Sequence, residues 1–201
     1  MFALDPQACP IILVSRLAEH SRNLASDPRC SLLVRRPRDT DPQADGRLTL
    51  MAEAAPLEAN PMLRARFQRL VPHASRLLQL GDFHFMRLHI SHLRYIGGFG
   101  AAHWLNAAQF VPPNSDIAQA EGALLESLSR NGGDMLRALC QAQLGRAPVD
   151  VQPIGVDCDG IDLLAEKTRL RVDFPRPVAQ AAEIPGVVES LAAGGTEKGK
   201  A

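Results

Sequence analysis

The stretch that most constrains the fold is residues 10–34, PIILVSRLAEHSRNLASDPRCSLLV. Residues 11–14 are a short, branched apolar run with the length of a buried strand, and residues 30–34 are another. Between them, 15–23 is polar, and Asp27-Pro28 turns the chain because the residue before a proline is pushed out of the helical region. The spacing predicts strand, polar turn, short helix, tight turn, strand. Ser15, Arg16, His20, Ser21 and Arg22 then gather near a helix N-terminus. Free N–H groups, hydroxyls and guanidinium groups there can seat a phosphate or carboxylate. A helix turning its charged face to water has the same spacing.

The rest of the chain builds outward from this motif. Residues 35–42 carry mixed charge and two prolines and read as an exposed loop ending near Gly46, followed by a strand over 47–57. Asn60-Pro61 is a helix start, Asn as cap and Pro at the first helical position, and a short second helix follows Pro72. Strands are expected at 83–88 and 92–96, then the glycine-rich run 97–100, then His103-Trp104-Leu105, whose tryptophan reads as a core or interface anchor. Residues 111–115 mark a boundary. Beyond it come helices over 117–128 and 134–144, with Asp134 as cap and Gly145 as stop. Three strands follow at 151–156, 161–164 and 169–174, the first two joined by an Asp-Gly hairpin turn. Pro185 opens a last helix through 191. The fold class is thus α+β: a strand-rich domain over 1–110, a helix-helix-strand-strand-strand-helix module with a three-stranded antiparallel sheet over 111–193, and a disordered tail over 194–201.

Composition narrows function by exclusion. A hydrophobic content of 46% supports a packed core, and no apolar run nears the ~18 residues of a membrane span. The first ten residues lack the basic region and apolar core of a signal peptide, so the cytoplasm is expected. Residues 1–110 hold 13 Arg, no Lys and 9 acids, a balance of +4, whereas residues 111–201 hold 9 bases and 13 acids, a balance of -4. An arginine-only first half suits a planar anionic ligand better than a nucleic-acid surface, because arginine makes bidentate and stacked contacts. Cys9, Cys30, Cys140 and Cys158 have no Cys-x-x-Cys spacing and read as buried thiols. His84 and His89 have opposite strand parity and share a face only if a bulge intervenes, so no metal site is expected from His84, His89 and His92. Asp157-Cys158-Asp159-Gly160 is read as a turn rather than a calcium loop. No common catalytic signature is present, so the residues alone yield an anion-binding junction and no reaction.

The segments SRLAEHSRNLASDPRCSLLV and RYIGGFGAAHWL resemble the haem-utilisation branch of the pyridoxamine 5'-phosphate oxidase-like, FMN-binding split-barrel superfamily. IGVDCDGIDLLAEKTRLRVDFPRPV resembles the small C-terminal domain often fused to that barrel. The resemblance implies a six-stranded antiparallel split β-barrel that forms a homodimer, with ligands in the grooves between subunits. The chain starts inside the region where such barrels carry further strands, so the barrel is expected to be N-terminally truncated. In flavin-binding relatives a Ser-Arg pair after the second strand holds the FMN phosphate, and Ser21-Arg22 stands at that place. In haem-using relatives the dimer cleft binds haem, Arg22 would meet a propionate, and His20 would approach the iron or ring edge. The C-terminal domain of many relatives carries Met-Asn-x-Asp-His; here Asn131 survives and no histidine follows His103, so ligation from that domain is not expected. The implied cofactor is haem or FMN, and the implied partners are a second copy and the cofactor, with no nucleic acid and no membrane. Three functional readings follow: haem binding with possible oxidative breakdown, an FMN-dependent oxidoreductase, or a non-catalytic dimeric remnant.

Overall fold

The computed structural model describes residues 1–35, 46–97, 102–112 and 115–197. The expected loop over 36–45, the glycines of 98–100, part of the boundary at 113–114 and the tail over 198–201 lie outside the described residues. The chain divides into two compact units, Met1–Pro112 and Pro113–Ala201.

In the first unit β1 (Phe2–Leu4) and β2 (Pro10–Ser15) precede α1 (Glu19–Ser26), β3 (Arg29–Arg35), β4 (Arg47–Leu57), α2 (Pro61–Leu70), α3 (Ala74–Leu78), β5 (Phe83–Ile96) and β6 (Ala102–Asn106). The strands form one antiparallel sheet in the order β1-β2-β5-β4-β3, with β6 also on β5. One edge of β5 pairs with β4 from Phe85 to Ile96. The other edge is shared, since β2 takes residues 83–87 and β6 takes 92–96. That sharing splits the sheet. Two separate strands were expected here, but no Pro or Gly interrupts 83–96, and β4 runs alongside without a break. The irregularity is instead a one-residue bulge: Met51 faces His92 and Ala52 faces Ile90, so Ser91 is the extra residue.

The two faces of this sheet are covered differently. Asn60 accepts the Leu63 N–H at 2.8 Å and caps α2 as expected, an arrangement worth about 1 kcal/mol. α2 buries Phe67 fully against Phe85, ring centroids 5.1 Å apart and edge to face. α1 has no buried residue and no side-chain cap; Leu24 docks it on Val14, Ala52, Ala54, Met86 and Leu88. Phe85 alternates with Met86, so α2 and α1 lie on opposite faces. The β1–β2 turn is clamped by Asp5, which accepts the Gln7 and Cys9 N–H groups at 2.9 Å each and pairs with Arg87 at 2.5 Å.

The second unit contains α4 (Ile117–Asn131), α5 (Gly133–Leu144), β7 (Val151–Asp157), β8 (Gly160–Ala165), β9 (Thr168–Asp173) and α6 (Ile184–Glu197), with a sheet in the order β7-β8-β9. Leu136, Ile161, Leu163, Ile184 and Val188 are fully buried in its core. The architecture is α+β, as expected. Details differ. Gly132, not Asp134, is the N-cap of α5, and Asp134 sits in the first turn paired with Arg137. Gly145 ends α5 in the left-handed conformation, φ +69. Helical backbone continues to Glu197 past the expected start of the tail at 194; the buried stripe Ile184, Val188, Ala192 docks the helix up to there, and Gly194 and Gly195 extend it against their poor helix propensity. Gly160 pairs directly with Asp157 inside the hairpin, leaving Cys158-Asp159 as the turn. Its glycine answers a close approach, since a Cβ there would lie 2.4 Å from the Val172 carbonyl oxygen.

Candidate cofactor-binding surfaces

The five residues expected at the β2–α1 junction fall into two groups. The Ser15 hydroxyl donates to Asp82 Oδ2 at 2.5 Å and accepts the Leu17 N–H at 3.1 Å. The Ser21 hydroxyl donates to the Ser15 carbonyl at 2.6 Å. Both serine hydrogens are therefore committed to bracing the turn. Arg16, His20 and Arg22 are exposed, and Arg22 Nη1 reaches the Leu17 carbonyl at 3.4 Å. Glu19 in the first helical turn and Asp82 beside Ser15 bring carboxylates to the same place. Arginine and imidazole thus line the exposed side of the turn. The hydroxyls and the acids make its braced side a poor seat for phosphate.

A second surface, on the face that carries α2 but beyond the rows α2 covers around Phe85, is one that sequence reasoning missed. Residues directly opposite in adjacent strands share a face, and along one strand the face repeats every second residue. Met51 and Glu53 therefore face the same way, and so do their partners His92 and His89. His84 lies on the other face, opposite Val14, with its Nδ1 buried and unpartnered. The bulge at Ser91 brings His89 and His92 together, and both are exposed. The rows of this face read Arg35, Arg47, Ile96; then Leu33, Thr49, Arg94, Trp104; then Ser31, Met51, His92, Asn106; then Arg29, Glu53, His89. Leu33, Met51 and Trp104 are 59%, 39% and 57% exposed, so Trp104 is not a core residue. Arg94 stacks on Trp104 with its guanidinium carbon 5.5 Å from the ring centroid. The tryptophan marked this surface in the sequence. The shared facing of the histidines did not show, because the bulge is set by pairing with β4.

Several other ionisable groups among the described residues are occupied by structure. Arg29 holds the Asp27 carboxyl at about 2, chiefly through a side-chain hydrogen bond, as part of an exposed ion pair. Burial pushes the Cys30, Cys140 and Cys158 thiols up, which keeps them protonated. Asp157, Cys158 and Asp159 bring three potential ligand atoms within 4.8 Å of one another. The Asp157 carboxylate, however, already accepts the Asp159 and Gly160 N–H groups and two bonds from Arg171, at 2.6 and 2.8 Å. Those bonds fix a turn.

The chain is similar to known proteins over most of its length. The chain is 28% identical over 188 residues to the "Non-canonical heme oxygenase HOZ, chloroplastic" of Arabidopsis thaliana, covering 87% of this chain and 57% of that protein. It therefore spans little more than half the length of that relative. The solved structure of a heme binding protein from Mycobacterium smegmatis is similar over 98% of this chain and 85% of its own, with 25% identity and a TM-score of 0.52. A protein of unknown function from Agrobacterium tumefaciens str. C58 shares the fold more closely, with a TM-score of 0.74 over 94% of this chain and 80% of its own, at 22% identity. The profile of the family described as "CREG, beta-barrel" matches residues 2–112, more than half of the chain and all of its split sheet. The chain belongs to the CREG β-barrel family.

Proposed function

We propose that this protein binds haem as a homodimer, through the split-sheet unit. The observation that carries this reading is the part of this sheet face that α2 leaves uncovered, on which apolar Leu33, Met51 and Trp104 lie beside arginines and two exposed imidazoles. Haem is a flat apolar plate with an iron that takes imidazole and an edge that bears two carboxylates. The donor set on this face fits all three parts. The printed descriptions of the Arabidopsis and Mycobacterium proteins point to the same ligand.

Arg16, His20 and Arg22, with Ser15 and Ser21 bracing them, lie on α1 and the turn before it. Because α1 covers the opposite face of the sheet, these groups and the uncovered face meet one ligand when a second copy brings its α1 across. Dimerisation would also cover the exposed apolar side chains. FMN fits less well, since the Ser21 hydroxyl that would reach its phosphate donates to Ser15 instead. Oxidative breakdown of bound haem, in the cytoplasm, is the enzymatic form of this function. It is checked by adding ascorbate in air and following loss of the Soret band.

The direct test is a visible spectrum of the purified full chain before and after addition of haemin or FMN. Saturable binding of haemin with a shifted Soret band supports the reading. Yellow flavin absorbance carried by the protein, with haemin left unbound, overturns it.

A further inference from the structure

We propose that haem lies across the uncovered sheet face with His92 as the ligand to iron and its carboxylates on Arg94, Arg47 and Arg35. This assignment rests on the haem reading and replaces His20 as the iron ligand.

Three observations carry it. The first is the bulge. Without Ser91 as an extra residue, positions 89 and 92 would point to opposite faces; with it, both imidazoles stand on one face, about 7 Å apart along the strand. Among the described residues neither has a hydrogen-bond or ion-pair partner. Their surroundings separate them. His89 lies opposite Glu53, the carboxylate that itself faces Arg29, and so belongs to a row of charges. His92 stands between Met51 and Asn106. The Asn106 side chain is committed to capping, accepting the Gln109 N–H at 3.1 Å. His92 thus has apolar Met51 on one side, a committed amide on the other and no acid opposite it.

The second observation is the arginine end of the face. Arg35 and Arg47 are directly opposite each other, an arrangement that like charges disfavour unless an anion lies between them. One row nearer His92, Arg94 is exposed and stacked on Trp104. Among the described residues no carboxylate pairs with Arg35, Arg47 or Arg94, whereas Arg29 at the far end is bound to Asp27. A dianion therefore meets cations at one end of the face only. The third observation is the order of the rows: arginines, then Leu33 and Trp104, then Met51 and His92. The carboxylate edge of haem would then meet the arginines while its iron stands over His92, with Leu33 and Trp104 against the plate between them.

The experiment uses the full chain and compares His92→Ala, His89→Ala and His20→Ala with the natural sequence. Each is titrated with haemin and examined by resonance Raman and electron paramagnetic resonance. His92→Ala is expected to lose the imidazole-ligated iron signature and to weaken haemin binding at least tenfold. Free imidazole should restore the signature, which a merely structural role for His92 would not allow. His89→Ala and His20→Ala should keep it. The double variant Arg47→Ala/Arg94→Ala should weaken binding without changing the iron ligand. If His92→Ala keeps the signature while the unaltered chain binds haemin, this assignment falls and the haem reading stands. If the unaltered chain fails to bind haemin, both fall together.

Discussion

Arg22 bonds its own chain through Nη1 alone, and at 3.4 Å, so most of its guanidinium remains available to an anion. If it meets a haem carboxylate across the dimer, Arg22→Ala should weaken haemin binding by about 1.5–3 kcal/mol, the cost of losing a charged hydrogen bond. Fluorescence quenching titration measures this, and an unchanged affinity removes Arg22 from the site. Asp5 is a different kind of residue. Its side chain is 6% exposed and pairs with Arg87, whose Nε is already buried without a partner. Asp5→Ala should destabilise the first unit by about 1–3 kcal/mol, because it leaves the half-buried Arg87 guanidinium with Gln7 Oε1 alone and takes the acceptor from the Gln7 and Cys9 N–H groups. Urea unfolding checks this, and a loss under about 1 kcal/mol would contradict the clamp. Some of these roles were legible from residue type: Asn60 before Pro61 announced a cap, and Gly145 announced a stop. The Ser15–Asp82 bond joins residues 67 positions apart, and nothing local in the sequence reports it.

At the scale of elements, periodicity located β2, β3, β4 and the three strands of the second unit, and placed the polar turn between β2 and α1, but it missed β1 and β6. It read β5 as two pieces because a bulge breaks alternation in the same way that a turn does. That misreading hid the shared face of His89 and His92. In the second unit the Asp-Gly signal found the hairpin, although Gly160 is required by the approach of β9 rather than by turn geometry. Gly160→Ala should therefore cost about 1–3 kcal/mol of stability through overpacking, whereas a glycine serving only a turn conformation would show no dependence on β9 packing. Truncating Arg171, whose Nε lies 2.9 Å from the same added atom, should not relieve the cost, because the Val172 carbonyl is backbone. The next turn is tied to the segment between α5 and β7 by Glu166, which accepts from Arg146 at 3.0 and 2.8 Å and from the Val149 N–H at 3.2 Å. The Arg146 hydrogen bonds, and then that of Val149, lower the Glu166 carboxyl from 4.5 to about 2. A carboxyl depressed on folding contributes stability above its unfolded value, and the contribution is lost as pH falls through the folded one. Glu166→Gln should flatten the acid limb of stability between pH 4.5 and about 2. Unfolding curves taken across that range test this, and an unaltered limb would place the acid sensitivity elsewhere.

For the molecule as a whole, the chain divides into two compact units, Met1–Pro112 with the split sheet and Pro113–Ala201 with the three-stranded one. Composition carried the functional hint, since arginine without lysine across 1–110 is what an anionic planar ligand needs. Which face would receive such a ligand depended on strand pairing and could not be read from the chain alone. If the first unit holds the ligand, haemin at a hundredfold excess over its dissociation constant should stabilise that unit by about 2.7 kcal/mol and leave the unfolding of the second unmoved. Calorimetry of the full chain resolves this, and an equal shift in both would contradict a site confined to the split sheet. Sedimentation should show a dimer, because the exposed Leu33, Met51 and Trp104 otherwise meet water. The measurement that tests the central claim most directly is a haemin titration of the purified full chain followed at the Soret band. Saturation near one haem per chain, with a shifted band, is the predicted result; absorbance that rises only as free haemin rises would contradict it.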